Sequence, residues 1–155
     1  MINKNSKYDL LNIDENSLNL FEPRESYDDN KDFTTLEAWI KCREVKLFFY
    51  DKILPLLPKE EKYNLDFQIR KACVSSTANI AEGYGRYHLQ EGIQFYRISK
   101  GSIYELKDHL ISCYDFKYIN GELKIEGLKL IETAKRILNG VINFVSNKIK
   151  ESKVK

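Results

Sequence analysis

Apolar residues recur every three to four positions along most of the chain, the spacing that places them on one face of an α-helix. The pattern starts near Thr34, with Thr34 or Thr35 as the expected N-cap. It predicts four helices, separated by Pro55 and Pro58, by GYG at residues 83–85 and by the turn Asn120-Gly121. Because the connections are short, we expect an all-α fold, an antiparallel up-down-up-down four-helix bundle.

Residues 1–31 do not share this pattern. They are rich in Asn, Asp, Glu and Ser and hold four basic and seven acidic residues, a net charge of −3. A segment with so little apolar surface does not offset its ordering entropy, so we expect a flexible acidic N-terminal arm before a single bundle domain at residues 32–155. Its apolar residues could still dock on a groove; they are Ile13, Leu18, Leu20 and Phe21.

Charge is distributed unevenly along the chain. The net charge of the whole sequence is +2, so residues 32–155 carry +5. Residues 117–155 alone hold nine Lys or Arg and four Glu. No apolar run is long enough to cross a bilayer, and the N-terminus lacks the apolar core of a secretory signal, so we expect a cytoplasmic protein without membrane contact.

The helical segments contain more apolar surface and more glycine than a bundle core needs. The first and last helices carry a second apolar stripe, which predicts self-association. Each glycine inside a helix costs about 1 kcal/mol relative to alanine, a penalty that close approach of helices could offset. Such glycines occur in the third and fourth helices, at Gly92, Gly101, Gly127 and Gly140.

The stretch NIAEGYGRY at residues 79–87 joins small, charged and aromatic residues. A phosphate-binding loop would need a preceding strand and a Gly-Lys-Ser/Thr ending, and both are missing. We therefore expect Gly83 or Gly85 to end the second helix in a left-handed conformation. We also expect a structural polar network that fixes helix register. Its members are Asn79, Glu82 and Arg86, together with Arg70 or Glu105.

The sequence contains no residue pattern that is typical of a catalytic or metal site. Cys42, Cys73 and Cys113 lie far apart in helical patterns, which is typical of small core residues. A di-iron bundle needs two Glu-x-x-His pairs, but His109 follows Glu105 by four residues and no second copy exists. No nucleophile accompanies Glu82 and Glu105 as acid and base. We expect a non-enzyme without metal or cofactor.

Three stretches carry a family resemblance: DFTTLEAWIKCRE, PKEEKYNLDFQIRKACVSSTANIAEGYGR and FYRISKGSIYEL. Through them, over about residues 32–145, the chain resembles the 23S rRNA intervening-sequence proteins, or S23 proteins. The resemblance implies an antiparallel four-helix bundle assembled as a cyclic homopentamer without established catalysis. The chain is also similar to the accessory variability protein of diversity-generating retroelements, a basic pentamer that binds nucleic acid and a reverse transcriptase. It departs from the usual family pattern at Thr77, Gly92 and Lys100.

These observations predict a non-catalytic, homo-oligomeric scaffold that binds structured RNA, or other nucleic acid, through a basic face. The alternative is a protein-interaction adaptor, for example an accessory subunit of a reverse transcriptase. In a third reading, the cations are only a solvated helix face. The predicted nucleic-acid-binding residues are Arg70, Lys71, Arg86, Arg97, Lys135 and Arg136.

Overall fold

The computed structural model describes residues 32–86 and 88–153. In these ranges the chain forms four α-helices and no strand, which confirms the all-α fold. The predicted N-terminal arm at residues 1–31 lies outside the described residues. The helices are α1 (Glu37–Phe48), α2 (Leu65–Gly85), α3 (Leu89–Asp115) and α4 (Gly121–Ser152).

The helices pack as antiparallel neighbours. Each contacts the next one in sequence, and α1 also contacts α4. Along the α2–α3 contact, the Ser99 hydroxyl donates to the Ser76 carbonyl at 2.6 Å, while the earlier Gly92 meets the later Gly83. This opposite order shows that α2 and α3 run in opposite directions, as the bundle topology requires.

The start of α1 differs from expectation. The predicted N-cap at Thr34 or Thr35 is wrong, because Leu36 precedes the first helical residue and offers no side-chain cap. A 3-10 turn, Phe33–Thr35, stands before α1 instead. Asp32 caps this turn by accepting from the Phe33 backbone N–H at 2.7 Å, and the Thr35 hydroxyl donates to the Asp32 carbonyl.

The end of α1 passes through a π-helical turn, Phe49–Ile53, and a 3-10 turn, Leu54–Leu56, that contains Pro55. The wider π turn shifts the helical register, and π turns are uncommon features that interrupt regular helices. Phe48, the last residue of α1, and Phe49, the first residue of the π turn, are both buried, and their rings meet edge to face with centroids 5.8 Å apart. A further 3-10 turn, Lys59–Tyr63, leads into α2.

The helix α2 ends at Gly85, as predicted, but the predicted left-handed conformation of its closing glycine is wrong. No glycine in the described ranges has a positive φ, and α2 continues to Gly85 before Arg86 becomes extended. Gly83 instead allows close packing: a Cβ there would lie 2.9 Å from the Gly92 carbonyl oxygen and 2.8 Å from the Tyr96 ring. The α3 backbone occupies the space that a side chain at this position would need.

The connection from α3 to α4 is residues 116–120, and Asn120-Gly121 starts the last helix. Lys117 takes the left-handed conformation, with φ of 64°, and the Tyr118 N–H donates back to the Cys113 carbonyl at 2.9 Å. Asn120 then caps α4, since its side chain accepts from the Leu123 N–H at 2.9 Å. The Asn120-Gly121 pair therefore lies at the junction between α3 and α4, as predicted, but Asn120 acts as the N-cap of α4.

The core confirms the interpretation of the cysteines. Cys42, Cys73 and Cys113 are buried free thiols, and burial raises the pKa of Cys42 and of Cys73 to about 12. All four helices contribute large side chains that are fully buried. Among them are Phe49, Ile69, Ile80, Ile103, Leu106, Leu110, Ile131 and Leu138.

We predict that two glycine substitutions in α3 have opposite effects. In Gly92→Ala, the added Cβ would lie 2.8 Å from the Gly83 carbonyl oxygen, so overpacking should destabilise the protein by about 1–3 kcal/mol. Gly101 faces open space, so Gly101→Ala should stabilise it by about 1 kcal/mol through helix propensity. Urea unfolding midpoints measure both changes, and shifts in the same direction would contradict the close contact.

Candidate nucleic-acid interface

Basic side chains of α3 and α4 share one side of the bundle. On α3, the spacing of Arg97, Lys100 and Lys107 places them on one helix face. Arg97 lines a groove together with Lys150 of α4, and Lys107 shares an acidic partner with Lys135 of α4. Arg136 follows Glu132 by one turn of α4, so it lies on the same face of that helix. We call this surface the α3/α4 basic face, defined as Arg97, Lys100, Lys107, Lys135, Arg136 and Lys150.

Glu132 connects the two helices at the middle of the α3/α4 basic face. Its carboxylate accepts from Lys107 Nζ at 2.6 Å and from Lys135 Nζ at 2.9 Å. Hydrogen bonds from Lys107 and Lys135 hold the pKa of Glu132 below its usual value, and the same contact raises the pKa of Lys135. Lys135 Nζ also lies 4.5 Å from the centroid of the Tyr104 ring. These contacts fix two lysines relative to each other.

Other cations of the face are available for a ligand. Arg97 and Arg136 are exposed and form no ion pair with any described residue, and Lys100 is half-buried without one. Gln90 and Gln94 add amide donors beside Arg97. Guanidinium, ammonium and amide N–H groups are the donors that hold phosphate oxygens. The surface therefore has the chemistry to bind a polyanion.

The structure does not bring all six predicted binding residues together. Arg97, Lys135 and Arg136 lie on the α3/α4 basic face, whereas Arg70, Lys71 and Arg86 belong to α2 and its end.

Two of the α2 cations have local partners. Arg70 Nε donates to Asp66 Oδ1 at 2.6 Å, and its guanidinium lies over the ring of Tyr50 in the π turn after α1. The hydrogen bond to Asp66 raises the pKa of Arg70. Arg86 pairs with Glu82 and lies 4.8 Å from the centroid of the Phe95 ring.

Lys100, Lys107 and Lys150 were not among the predicted binding residues. Lys107 follows Arg97 and Lys100 at helical spacing, so the α3 row was visible in the sequence. Lys150 could not be assigned to this side, because its position depends on the packing of α4 against α3.

The expected polar network forms only in part among the described residues: Glu82 and Arg86 pair with each other, but Asn79 and Glu105 have other partners. The Asn79 side chain donates to the Ser75 carbonyl at 2.8 Å, Glu82 pairs with Arg86, and Glu105 lies 3.6 Å from His109 Nε2. Serines instead make the polar contacts between α2 and α3. Besides the Ser99–Ser76 bond, the Ser102 hydroxyl donates to Ser75 Oγ at 2.7 Å.

Residues 32–86 and 88–153 contain no cluster of three or more His, Cys, Asp or Glu that could hold a metal ion. No helix in this part of the chain is both long and apolar enough to span a membrane.

The chain matches a known family over most of this bundle. Residues 34–140 match the model of the 23S rRNA-intervening sequence protein family. The chain belongs to this family. The region shared with the 23S rRNA-intervening sequence proteins includes α1, α2, α3 and the first part of α4, and it ends before Lys150. A search of curated proteins finds no significant match.

We predict that the Glu132 contacts make stability depend on pH. The carboxylate pKa is lowered in the folded state, so its contribution is present above pH 4.5 and is lost as the pH falls through the folded-state pKa. At pH 7, Glu132→Gln should lower the free energy of unfolding by about 0.2–1 kcal/mol, as for exposed ion pairs. The difference between wild type and variant should shrink in acid.

Denaturant titrations between neutral and acidic pH measure this difference. Glu60→Gln is the matched control, because Glu60 is exposed and has no ion pair in the described part of the chain. A pH-independent difference for Glu132→Gln would contradict the ionic contact.

Proposed function

We propose that this protein is a non-catalytic, homo-oligomeric scaffold that binds structured RNA through the α3/α4 basic face. The observation that carries the proposal is that cations of two antiparallel helices meet on one side of the bundle: Lys107 and Lys135 share Glu132, and Arg97 and Lys150 line one groove. A concentrated patch of one sign attracts a polyanion and accelerates its association. Binding to phosphates supplies affinity without requiring base contacts.

The geometry of the face favours a folded ligand. From residue 97 to 107, α3 extends about 15 Å, and from residue 135 to 150, α4 extends about 22 Å, at 1.5 Å per residue. Cations on two packed helices keep fixed separations, which suit phosphates held at fixed positions. Tyr104 has one ring face under Lys135 Nζ, so base stacking contributes little there. The family name refers to 23S rRNA, so ribosomal RNA is the first ligand to test.

An exposed apolar strip on α1 supports association between copies. Ile40 and Leu47 share a helix face, and each is more than one-third exposed. The second stripe of α4 gives no such support, because Ile137 is buried and Leu130 and Phe144 pack partly against the core. We propose the α1 strip, defined as Ile40 and Leu47, as a contact between copies, with the pentamer implied by the resemblance. Several basic faces in one particle would increase avidity.

We predict that reversing two free cations weakens RNA binding. In Lys100→Glu/Arg136→Glu, two phosphate contacts are lost and two repulsive charges are added. Affinity for ribosomal RNA should fall at least about tenfold, and the slope of log affinity against log salt should become shallower by about 1.5–2. Gel shifts at increasing salt measure both quantities.

The control Lys59→Glu/Lys62→Glu makes the same change in net charge at exposed lysines of the 3-10 turn before α2. It should retain most of the affinity. Equal losses in both variants would point to a net-charge effect and contradict a binding face. Absence of binding at low salt, or binding without salt dependence, would overturn the proposal.

We predict that a charge in the α1 strip reduces the mass of the particle. Light scattering of the wild type should give a multiple of 18.2 kDa. Leu47→Glu should lower this mass, whereas Leu56→Glu makes the same change at an exposed leucine outside the strip and should not. A wild-type mass of 18.2 kDa at high concentration would contradict self-association.

A protein-interaction adaptor is the second candidate, including an accessory subunit of a reverse transcriptase. It is favoured by Phe67 and Val74, which are more than half exposed on one face of α2. Recovery of a stoichiometric protein partner after nuclease treatment, with loss of that partner in Val74→Glu, would support this candidate.

A further inference from the structure

A groove lies between the start of α3 and the end of α4. It has a volume of about 450 Å³, within the range of ligand pockets. Its apolar members are Ile93, which is buried, and Ile149, which is half-buried. Arg97 and Lys150 supply positive charge at its edges, and polar groups surround them. The complete lining is Gln90, Ile93, Gln94, Arg97, Ser146, Ile149 and Lys150.

This composition selects a ligand with apolar side chains and carboxylates. The exposed part of Ile149 gains free energy when it is covered, and the two cations need an anion to compensate their desolvation. No carboxylate of the described residues lines the groove to neutralise Arg97 or Lys150.

A segment of the same chain has the matching composition. Residues 13–22 read IDENSLNLFE and contain three carboxylates and no basic residue. The same ten residues include Ile13, Leu18, Leu20 and Phe21. Acidic and apolar side chains thus occur together within a length suited to one groove.

We propose that residues 13–22 dock in the groove between α3 and α4 of their own chain. The apolar residues cover Ile149, and the carboxylates approach Arg97 and Lys150. The inference rests on groove composition, charge complementarity and chain reach, and it does not require the protein to bind RNA.

The first described residue, Asp32, lies at the same end of the bundle as the groove. Phe48 lies against Gly127, and α1 and α4 are antiparallel, so the start of α1 is level with the second half of α4. Asp32 therefore stands at the same end as Ser146. Neighbouring helix axes are separated by about 8–10 Å, and the nine residues 23–31 can extend about 30 Å. This length is sufficient to pass around the bundle to the groove.

Docking would place the segment over two members of the α3/α4 basic face. Arg97 and Lys150 would then be neutralised within the chain, and a polyanion would have to displace the segment to reach them. The segment would act as an internal competitor for anions.

Disulfide trapping in the full-length protein tests the proposal. Ser17→Cys in the segment and Ser146→Cys in the groove are nearly isosteric changes, and the three native thiols are buried. On mild oxidation, this pair should form an intramolecular disulfide at least about tenfold faster than a control pair, because docking raises the effective concentration of the two thiols.

The control pair is Ser17→Cys with Ala78→Cys. Ala78 is exposed on α2 and, from the pairing of Ser76 with Ser99, is level with Arg97, so the second thiol stands at the same height of the bundle but outside the groove. Equal rates for the two pairs, or no disulfide at Ser146→Cys, would overturn docking. A covalent dimer as the main product would assign the groove to a segment of another copy and would overturn docking within one chain.

A charge exchange tests the electrostatic part with the same readout. In the Ser17→Cys/Ser146→Cys background, Lys150→Glu should slow disulfide formation roughly two- to fivefold, the effect of losing an exposed ion pair. Adding Glu22→Lys should restore part of the rate. If Lys150→Glu leaves the rate unchanged, the proposed charge pairing is wrong.

Discussion

The close contact between α2 and α3 determines how the rest of the bundle packs. At Gly83 and Gly92, each backbone occupies the space that the other residue's Cβ would need. Such a contact fixes the relative height of the two helices, since sliding either one would bring a larger side chain against a backbone. At the same register, the buried Ser99 hydroxyl donates to the Ser76 carbonyl oxygen at 2.6 Å. The glycines thus let the two helices approach closely, and the serines form hydrogen bonds between them, so that these buried polar groups have partners.

Helix periodicity was sufficient to predict four helices and their order, but the role of Gly83 was not predicted. A glycine near the end of a helix is compatible with a left-handed cap and with a close contact between helices, and one sequence does not distinguish these two roles. The useful signal was Gly92, a second glycine near the start of the next helix. Two glycines on consecutive antiparallel helices indicate a shared contact, but confirming it requires the register between the helices.

The candidate site was also predictable only in part, because some of its contacts depend on how the helices pack against each other. The basic excess near the C-terminus was visible in the sequence, and so were the spacings of four residues between Asp66 and Arg70 and between Glu82 and Arg86. Those spacings predict local ion pairs that neutralise two of the proposed binding residues. The bridging role of Glu132 was not visible, because it depends on Lys107 of α3 facing Lys135 of α4.

The two surfaces invoked for function are compatible with one assembly. In the described bundle, α1 contacts α2 and α4, while α3 contacts the same two helices from the opposite corner. If copies associate through the α1 strip, the outer side of α3 points away from that contact. Arg97 and Lys100 then stay accessible, and repulsion between the basic faces of neighbouring copies is weakened by distance and by salt screening over about 8–10 Å. The surfaces proposed for self-association and for anion binding therefore lie at different corners of the same four-helix bundle.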